Sequence, residues 1–364
     1  MFREVFQVRM QILPGPGALV LVAAVTVHAH LPAPALQQWQ SQRSGTDARL
    51  RGISAVSEKV AWASGARGTV LRTIDGGRVW QVLAVPGAAA LDFRDIDAMS
   101  DRVAYVLSIG NGPASRIYKT EDGGQSWTLQ FQNADDKAFF DAMAFWDERR
   151  GIAFSDSIDG RFVIIRTVDG GKTWTRIPAD SLPPALDNEG AFAASGTNVA
   201  VAGNAHVWIG TGAAATSRVL HSADAGLTWT VADTPLAAGP STGIFSIAFR
   251  DARHGIVVGG DYSKEDDAVD NAAITSDGGK TWKLAPGLTG YRSVVAHLGG
   301  GRGAHIWMAV GPTGADLSLD DGRSWKQVSS IGFDTIGVVK GQGGKPPVVF
   351  GAGANGRLGR LELE

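Results

Sequence analysis

The sequence predicts an all-β fold in which seven four-stranded antiparallel blades close into a ring, and three observations lead to it. Six copies of the pattern Ser/Thr-x-Asp-x-Gly-x-x-Trp recur along the 364 residues, 43 to 55 residues apart. Strand-like apolar segments fill the intervals between the copies. Three more such segments follow the last copy. A period of about 40–50 residues with four strands per unit is typical of a β-propeller.

Each copy of the pattern has the composition of a tight turn between two strands. Its Asp can accept hydrogen bonds from the amides that follow it, and its second Gly tolerates a positive φ. The Trp then opens the next strand and covers the turn with apolar surface. We call the six segments the repeat turns. We predict a structural role for their aspartates, which are Asp75, Asp122, Asp169, Asp224, Asp277 and Asp320.

One unit of the repeat shows the four strands of a blade clearly. Residues 140–145 alternate between two faces, residues 150–154 and 162–167 follow as strands, and Trp174 opens the fourth. Four strands in succession make one blade. The same succession is predicted in five further units, which are residues 50–85, 93–131, 191–232, 244–284 and 291–328.

The last three apolar segments form an incomplete unit. Residues 333–339, 347–351 and 356–363 read as strands, but they have no repeat turn and no fourth strand. Residues 38–42, Gln-Trp-Gln-Ser-Gln, match the Trp-led fourth strand of the other units. Because a missing strand would leave an open sheet edge, we expect residues 37–43 to complete the seventh blade and close the ring.

The first 29 residues are predicted to be a secretory signal peptide. Two arginines precede the apolar stretch 19–27, and the small-residue site 27–29 follows. The apolar stretch is shorter than the roughly 20 residues that span a bilayer, although an uncleaved anchor is the alternative. We therefore expect residues 30–364 to form a single periplasmic or secreted domain without a membrane span after cleavage.

Composition argues against several classes of function. The chain has no cysteine, which excludes disulfides and thiolate metal sites, and its formal net charge of −2 gives no reason to expect nucleic acid as a partner. The histidines lack metal-binding spacing, and the dinucleotide-like glycines of 351–356 precede no helix. A weak Ca²⁺ site in the acidic stretch 261–270 is the alternative to a solvated loop. We expect a monomer without metal, cofactor or nucleotide.

The repeat turns, together with Gly-rich strands such as 61–65 and 255–260, resemble the Asp boxes of BNR-repeat propellers. Within that group, the chain resembles the photosystem II assembly and stability factor family and its bacterial relatives. The resemblance covers residues 37–364 and implies a binding or assembly role. Asp boxes also occur in sialidases, other glycoside hydrolases and sorting receptors, so the resemblance is specific for the fold rather than for an activity.

We expect the functional site on the face opposite the repeat turns. The loops between strands two and three and the connections between blades collect there, and such loops commonly carry binding residues. Polar side chains concentrate in these loops on blades three to six. The candidates for binding a protein or a glycan are Asp141, Asp156, Asp159, Glu189, Arg218, Asp261, Tyr262, Tyr291 and Arg292.

The alternative function is a glycoside hydrolase or sialidase-like enzyme that uses the same face. A glycosidase needs two carboxylates roughly 5–10 Å apart across a cleft. The carboxylates that could supply such a pair are Asp141, Asp156, Glu189 and Asp261. The Phe-Arg-Ile-Pro motif typical of sialidases is absent, since residues 50–53 read Leu-Arg-Gly-Ile. We therefore predict a non-catalytic binding protein.

Overall fold

The computed structural model describes residues 38–300, 305–341 and 345–363, and the predicted signal peptide lies outside them. Within these ranges, 28 strands form seven four-stranded antiparallel sheets. The first strands of neighbouring sheets contact one another, so the sheets are the blades of a ring. The predicted seven-bladed all-β propeller is confirmed.

The strands follow one another in chain order, four to a blade. Blades one to three contain β2 (Leu50–Ala55), β3 (Ala61–Gly65), β4 (Thr69–Thr73), β5 (Gln81–Ala84), β6 (Asp92–Ala98), β7 (Ala104–Ile109), β8 (Arg116–Thr120), β9 (Thr128–Gln132), β10 (Phe140–Phe145), β11 (Gly151–Ile158), β12 (Arg161–Thr167) and β13 (Thr175–Arg176). Blades four and five contain β14 (Val199–Ala202), β15 (His206–Gly210), β16 (Arg218–Ser222), β17 (Thr230–Asp233), β18 (Thr242–Phe249), β19 (Gly255–Asp261), β20 (Ala272–Thr275) and β21 (Lys283–Leu284).

The remaining strands form blades six and seven. They are β22 (Val294–Gly299), β23 (Ile306–Gly311), β24 (Gly314–Ser318), β25 (Lys326–Ser329), β26 (Thr335–Val339), β27 (Val348–Ala352), β28 (Leu358–Glu362) and β1 (Gln40–Gln42). The helical elements of the described ranges are short 3-10 turns at Gly112–Ala114, Ala179–Ser181 and Ala354–Gly356. In this part of the chain, no helix has the length and apolar character needed to cross a membrane.

The N-terminal strand closes the ring. Strand β1 pairs with β28, so that Gln40 lies opposite Arg360, and the seventh blade has the order β1-β28-β27-β26. The side chain of Gln42 then reaches blade one. Its Oε1 accepts a hydrogen bond from Trp80 Nε1 at 2.9 Å, and its Nε2 donates to the carbonyl of Gly76 at 3.0 Å. The first strand therefore joins the last blade to the first one.

The six repeat turns share one hydrogen-bond pattern. In the third turn, Thr167 Oγ1 donates to Asp169 Oδ1 at 2.9 Å, and the backbone N–H of Gly171 donates to Thr167 Oγ1 at 2.9 Å. Hydrogen bonds from the backbone and hydroxyl of Thr173 hold the pKa of Asp169 at about 2. The first two bonds recur in all six turns. The aspartate of each repeat turn thus stabilises the turn in which it lies.

All repeat turns lie on one face of the ring, which we call the turn face. In every blade that has one, a backbone N–H of the repeat turn donates to a carbonyl in the turn between the first two strands. Gly76 donates to Lys59 and Gly170 to Arg149, both at 2.9 Å. The loops between strands two and three and the connections between blades lie at the other end of the strands, on what we call the opposite face.

Tryptophans on the second strands fix the contacts between blades. Trp62, Trp208 and Trp307 are fully buried. Trp62 Nε1 donates to the carbonyl of Ser100 in blade two at 2.9 Å, and Trp208 Nε1 donates to Gly278 in blade five at 2.8 Å. Each buried indole contributes apolar contact between two neighbouring blades, and the hydrogen bond donated by its N–H fixes how those blades are oriented. The core therefore lies between the faces of adjacent sheets.

Blade four differs from the predicted pattern. The sequence placed the beginning of this unit at residue 191, whereas its first strand begins at Val199. Residues 190–197, which we call the channel segment, instead leave the sheet and enter the space enclosed by the seven first strands. The period of the repeat could not reveal this departure, because the segment has no counterpart in the other blades.

Candidate functional site

The first strands of several blades carry a bulge at the end nearest the opposite face. The pairing register shifts by one residue in blades one, two, three and five. The extra residues are Arg51, Arg94, Asp141 and Phe245. A bulge re-aims a side chain at the end of a strand, and bulges are enriched beside binding sites. These side chains come from corresponding positions around the channel, and we call this region the channel mouth.

The channel segment crosses this mouth and contacts distant blades. The carbonyl of Ala193 accepts a hydrogen bond from Arg94 Nη1 of blade two at 3.0 Å. The hydroxyl of Ser195 donates to the carbonyl of Ser293 in blade six at 2.7 Å, and the Ser195 carbonyl accepts a bond from Thr335 of blade seven at 3.3 Å. The channel segment thus contacts blades on both sides of the ring. It forms the bottom of the channel mouth, which we call its floor.

Asp141 and Asp156 meet beneath the start of the channel segment. Asp141 is fully buried, and burial together with the neighbouring Asp156 carboxyl raises its pKa well above the usual range. Burial also raises the pKa of Asp156, although its Oδ1 accepts a hydrogen bond from the backbone of Ala191 at 2.9 Å. Because two carboxylates in contact do not readily ionise together, the pair retains a proton at pH values where an exposed Asp has lost it.

Glu189 and Arg218 form a buried ion pair. Their side chains are 0% and 8% exposed, and Arg218 Nε donates to Glu189 Oε1 at 2.9 Å. The hydroxyl of Thr211 donates to the same oxygen at 2.6 Å, and the backbone of Leu186 donates to Glu189 Oε2 at 2.8 Å. The structure brings these two predicted residues together, but their polar atoms are engaged with each other and with the fold.

Arg292 and Tyr291 are also buried. Arg292 is 0% exposed and donates to Asp316 Oδ2 at 2.5 Å and to the carbonyl of Tyr291 at 2.8 Å. Burial raises the pKa of Tyr291, whose ring packs edge-to-face against Phe245 with centroids 4.7 Å apart. Both residues lie below the surface of the opposite face, where they hold the beginning of blade six in place.

Asp159 lies in an exposed turn, and Asp261 is the half-buried last residue of β19. Asp159 adopts φ 50° in a turn and pairs with Lys137 at 3.1 Å. Asp261 accepts hydrogen bonds from the backbone and the hydroxyl of Ser263, which lower its pKa. Each of the two carboxylates therefore has an ion-pair or hydrogen-bond partner close to it on the protein surface. The structure does not bring these two aspartates together with Asp141 and Asp156.

Tyr262 is the most exposed aromatic ring of the predicted set. Half of it is open to solvent, and it contacts Phe192 and Phe245 edge-on at centroid distances of 5.9 and 6.0 Å. Phe192 of the channel segment stacks on Phe245 with centroids 4.1 Å apart and the rings 6° from parallel. We call Phe192, Phe245 and Tyr262 the aromatic shelf. It offers apolar surface on the opposite face beside the mouth.

Arg51 is a functional candidate outside the set of binding residues predicted from the sequence, which indicates it only as one of the arginines of the sialidase alternative. Burial, followed by the charge of Arg94, lowers the pKa of Arg51. Arg49 pairs with both oxygens of Asp334 at 2.9 and 2.7 Å, and Arg94 pairs with Asp92 at 2.8 Å. Among the residues that the structure describes, no carboxylate lies within ion-pair distance of Arg51. The carboxylate of Asp334 stabilises the charge of Arg51 only from beyond ion-pair distance and is already paired with Arg49, so the half-buried Arg51 guanidinium can still bind an anion.

The predicted hydrolase carboxylates do not face each other across a cleft. Asp141 and Asp156 are in contact with each other, Glu189 is paired with Arg218, and Asp261 caps its own loop. A retaining or inverting pair needs room between the carboxylates for the sugar and, in the inverting case, for a water molecule. The opposite face also carries the guanidinium of Arg51 on blade one and the aromatic shelf of blade five and the channel segment.

Comparison with known proteins identifies the fold. No family model and no curated protein matches the sequence. A solved structure described as YCF48 bound to D1 peptide superposes with a TM-score of 0.62 and 17% identity, covering 90% of this chain and 98% of that chain. YCF48 from Cyanidioschyzon merolae gives a TM-score of 0.55 and 18% identity over the same shares. The chain is thus similar in architecture, over nearly its whole described length, to these propellers.

Proposed function

We propose that this protein is a non-catalytic propeller that binds a segment of a protein partner at the channel mouth. The observation that carries the proposal is Arg51, a half-buried cation with no ion-pair partner among the described residues. Burial disfavours its charged form, so an anion supplied by a partner would stabilise it. A carboxylate of a peptide, either a side chain or the chain end, has the required charge.

The surroundings of Arg51 favour a chain segment over a small molecule. The channel segment gives the mouth a floor, and the aromatic shelf adds apolar surface at its rim. A peptide can place a carboxylate at the guanidinium while an apolar side chain packs on Tyr262. Exposed aromatic rings and arginines are the residue types that contribute most to protein recognition.

Two further observations support a protein partner. One of the propellers similar in architecture is described as bound to a D1 peptide, so this fold can present a peptide-binding surface. Glu189 is paired with Arg218, and Asp156 accepts a hydrogen bond from the backbone of Ala191, so these two carboxylates are engaged by the fold. We also propose that the protein acts in the periplasm or outside the cell, as the predicted signal peptide implies.

A peptide array tests the proposal directly. The full-length mature protein is applied to immobilised peptides of random sequence, half with a free terminal carboxylate and half amidated, and the hits are measured in solution. We expect binders enriched in Asp, Glu or a free chain end next to an apolar residue. Failure of all peptides to bind, combined with turnover of any member of a glycoside panel, would overturn the proposal in favour of a hydrolase.

A further inference from the structure

Two histidines of blade four lie edge to edge near the turn face, far along the strands from the channel mouth. His206 begins β15, and His221 lies on β16 opposite Trp208. Nδ1 of His206 is 3.1 Å from Nε2 of His221, and the two rings are within 2° of parallel with centroids 5.3 Å apart. This distance and alignment correspond to two imidazoles in one plane, each with a nitrogen directed at the other.

An aromatic stack fixes the plane of both rings. His206 and His221 lie over the indole of Trp208 at centroid distances of 5.4 and 4.9 Å, each within 9° of parallel. Trp208 is fully buried and stacks in turn on Phe249 at 3.6 Å. The stack therefore orders both side chains before an ion binds, so that binding requires a reorientation of each ring but not its selection from many rotamers.

A nitrogen of an imidazole binds a metal ion through a lone pair that is not occupied by a proton. In this pair at least one of the two facing nitrogens must be without a proton, because it accepts the hydrogen bond from the other. A lone pair is therefore already directed into the space between the two rings.

We propose that His206 and His221 form a binding site for a divalent transition-metal ion, with Cu²⁺ as the ion bound most tightly. With metal–nitrogen distances of about 2.0–2.1 Å, a nitrogen separation of 3.1 Å corresponds to an angle of about 95–100° at the metal, between square-planar and tetrahedral values. On binding, the ring that donates the hydrogen bond moves its proton to its other nitrogen, and both lone pairs turn towards the ion. Water completes the coordination.

The choice of Cu²⁺ follows from the number and type of ligands. Among the described residues, no group of three or more His, Cys, Asp or Glu side chains is arranged around one point. Two imidazoles alone select the ion that stands highest in the Irving–Williams order. Lys280 belongs to the repeat turn of blade five, whose Gly278 accepts the Trp208 hydrogen bond, and its positive charge acts on His221. This charge opposes a bound cation, so the site is expected to be weaker than it would be without that lysine.

A second pair of histidines provides an internal comparison. His297 and His305 of blade six also lie beside a buried tryptophan, but their rings are tilted by 45° with centroids 5.6 Å apart. Both ring nitrogens of His297 are buried without a hydrogen-bond partner in the described part of the chain. This pair does not direct two nitrogens at one point, and it should not bind the ion.

Titration of the full mature protein with CuCl₂, followed by calorimetry and by electron paramagnetic resonance, tests the site. We expect one saturable Cu²⁺ ion whose spectrum shows two equatorial imidazole nitrogens, with weaker binding of Ni²⁺ and Zn²⁺. His206→Gln and His221→Gln should each weaken binding by more than the roughly 10-fold typical of losing an outer partner of a metal ligand. His297→Gln should leave the affinity unchanged.

Lys280→Gln provides a test that does not depend on whether the histidine variants fold. Removing its charge should strengthen Cu²⁺ binding while the thermal unfolding curve without metal stays close to that of the wild type. Absence of saturable binding to the wild type would overturn the proposal. Cu²⁺ binding that is retained in His221→Gln but lost in His297→Gln would also overturn the proposal, because the ion would then occupy the pair formed by His297 and His305.

Discussion

The backbone N–H of Ala191 donates a hydrogen bond to Asp156 Oδ1 at 2.9 Å, and this bond ties the channel segment to blade three. Arg94 holds the same segment two residues later through the carbonyl of Ala193. Asp156 of blade three and Arg94 of blade two, which are neighbouring blades, thus hold the channel segment in place together.

The buried ion pair of blade four should be costly to break from one side. Arg218→Met leaves the Glu189 carboxylate buried without its counter-charge, and we expect the free energy of unfolding to fall by about 3–5 kcal/mol. The double variant Arg218→Met with Glu189→Leu should recover much of that loss, because no charge then remains buried. Urea unfolding measures both values. A single-variant cost below about 1 kcal/mol would show that the carboxylate finds water or another partner.

Asp97 should make stability depend on pH. Burial raises its pKa to about 6, although it accepts a hydrogen bond from the backbone of Phe145 at 3.0 Å. A raised folded-state pKa means that the folded protein holds the proton more tightly, so stability falls as pH rises from about 4 to 6. Asp97→Asn keeps the acceptor and removes the titration. We expect it to match the wild type near pH 4 and to exceed it by up to about 3 kcal/mol above pH 7.

The measurement for Asp97→Asn is the difference in free energy of unfolding between the two proteins across pH 4 to 8. His221, whose pKa is lowered to about 4, contributes equally to both proteins and cancels in the difference. Its own effect has the opposite sign, since stability falls as pH decreases from about 6.5 to 4. A difference that is constant with pH would contradict the assignment of a raised pKa to Asp97.

The closure of the ring should depend on Gln42. Gln42→Leu removes both the acceptor for Trp80 Nε1 and the donor for the carbonyl of Gly76 while keeping a similar volume. Because Trp80 is 6% exposed, its N–H would be left without a partner, and we expect a loss of about 1–3 kcal/mol in unfolding free energy. The exposed neighbour Gln40 provides the control through Gln40→Leu, which should be neutral. Equal effects of the two substitutions would contradict this role.

The repetitive part of the fold could be predicted because its chemistry is local. The Thr167, Asp169 and Gly171 pattern determines a turn by contacts within five residues, and its six copies account for six of the seven blades. The closing strand could also be predicted, since residues 38–42 match the strand that the seventh blade lacks. Strand ends moved by a few residues, as in β11, which continues to Ile158.

The site depended on features that the repeat pattern of the sequence does not reveal. A bulge places Arg51 at the mouth, and strand alternation alone cannot predict where an extra residue is inserted. Glu189 and Arg218 were both selected as polar loop residues, but only the folded chain shows that they neutralise each other. The crossing of the channel by residues 190–197 depends on contacts with blades two, six and seven, which lie far away in sequence.

The central claim is that Arg51 recognises an anionic group of a protein partner. The most direct test is the affinity of an array-selected peptide for Arg51→Met, compared with Arg67→Met, whose guanidinium is exposed and pairs with Asp47. Truncating one partner of a sheltered charge pair typically costs 2–5 kcal/mol, so we predict binding weakened by at least about 10-fold for Arg51→Met. Arg67→Met should bind like the wild type. Equal affinity of the Arg51→Met and wild-type proteins would contradict the account.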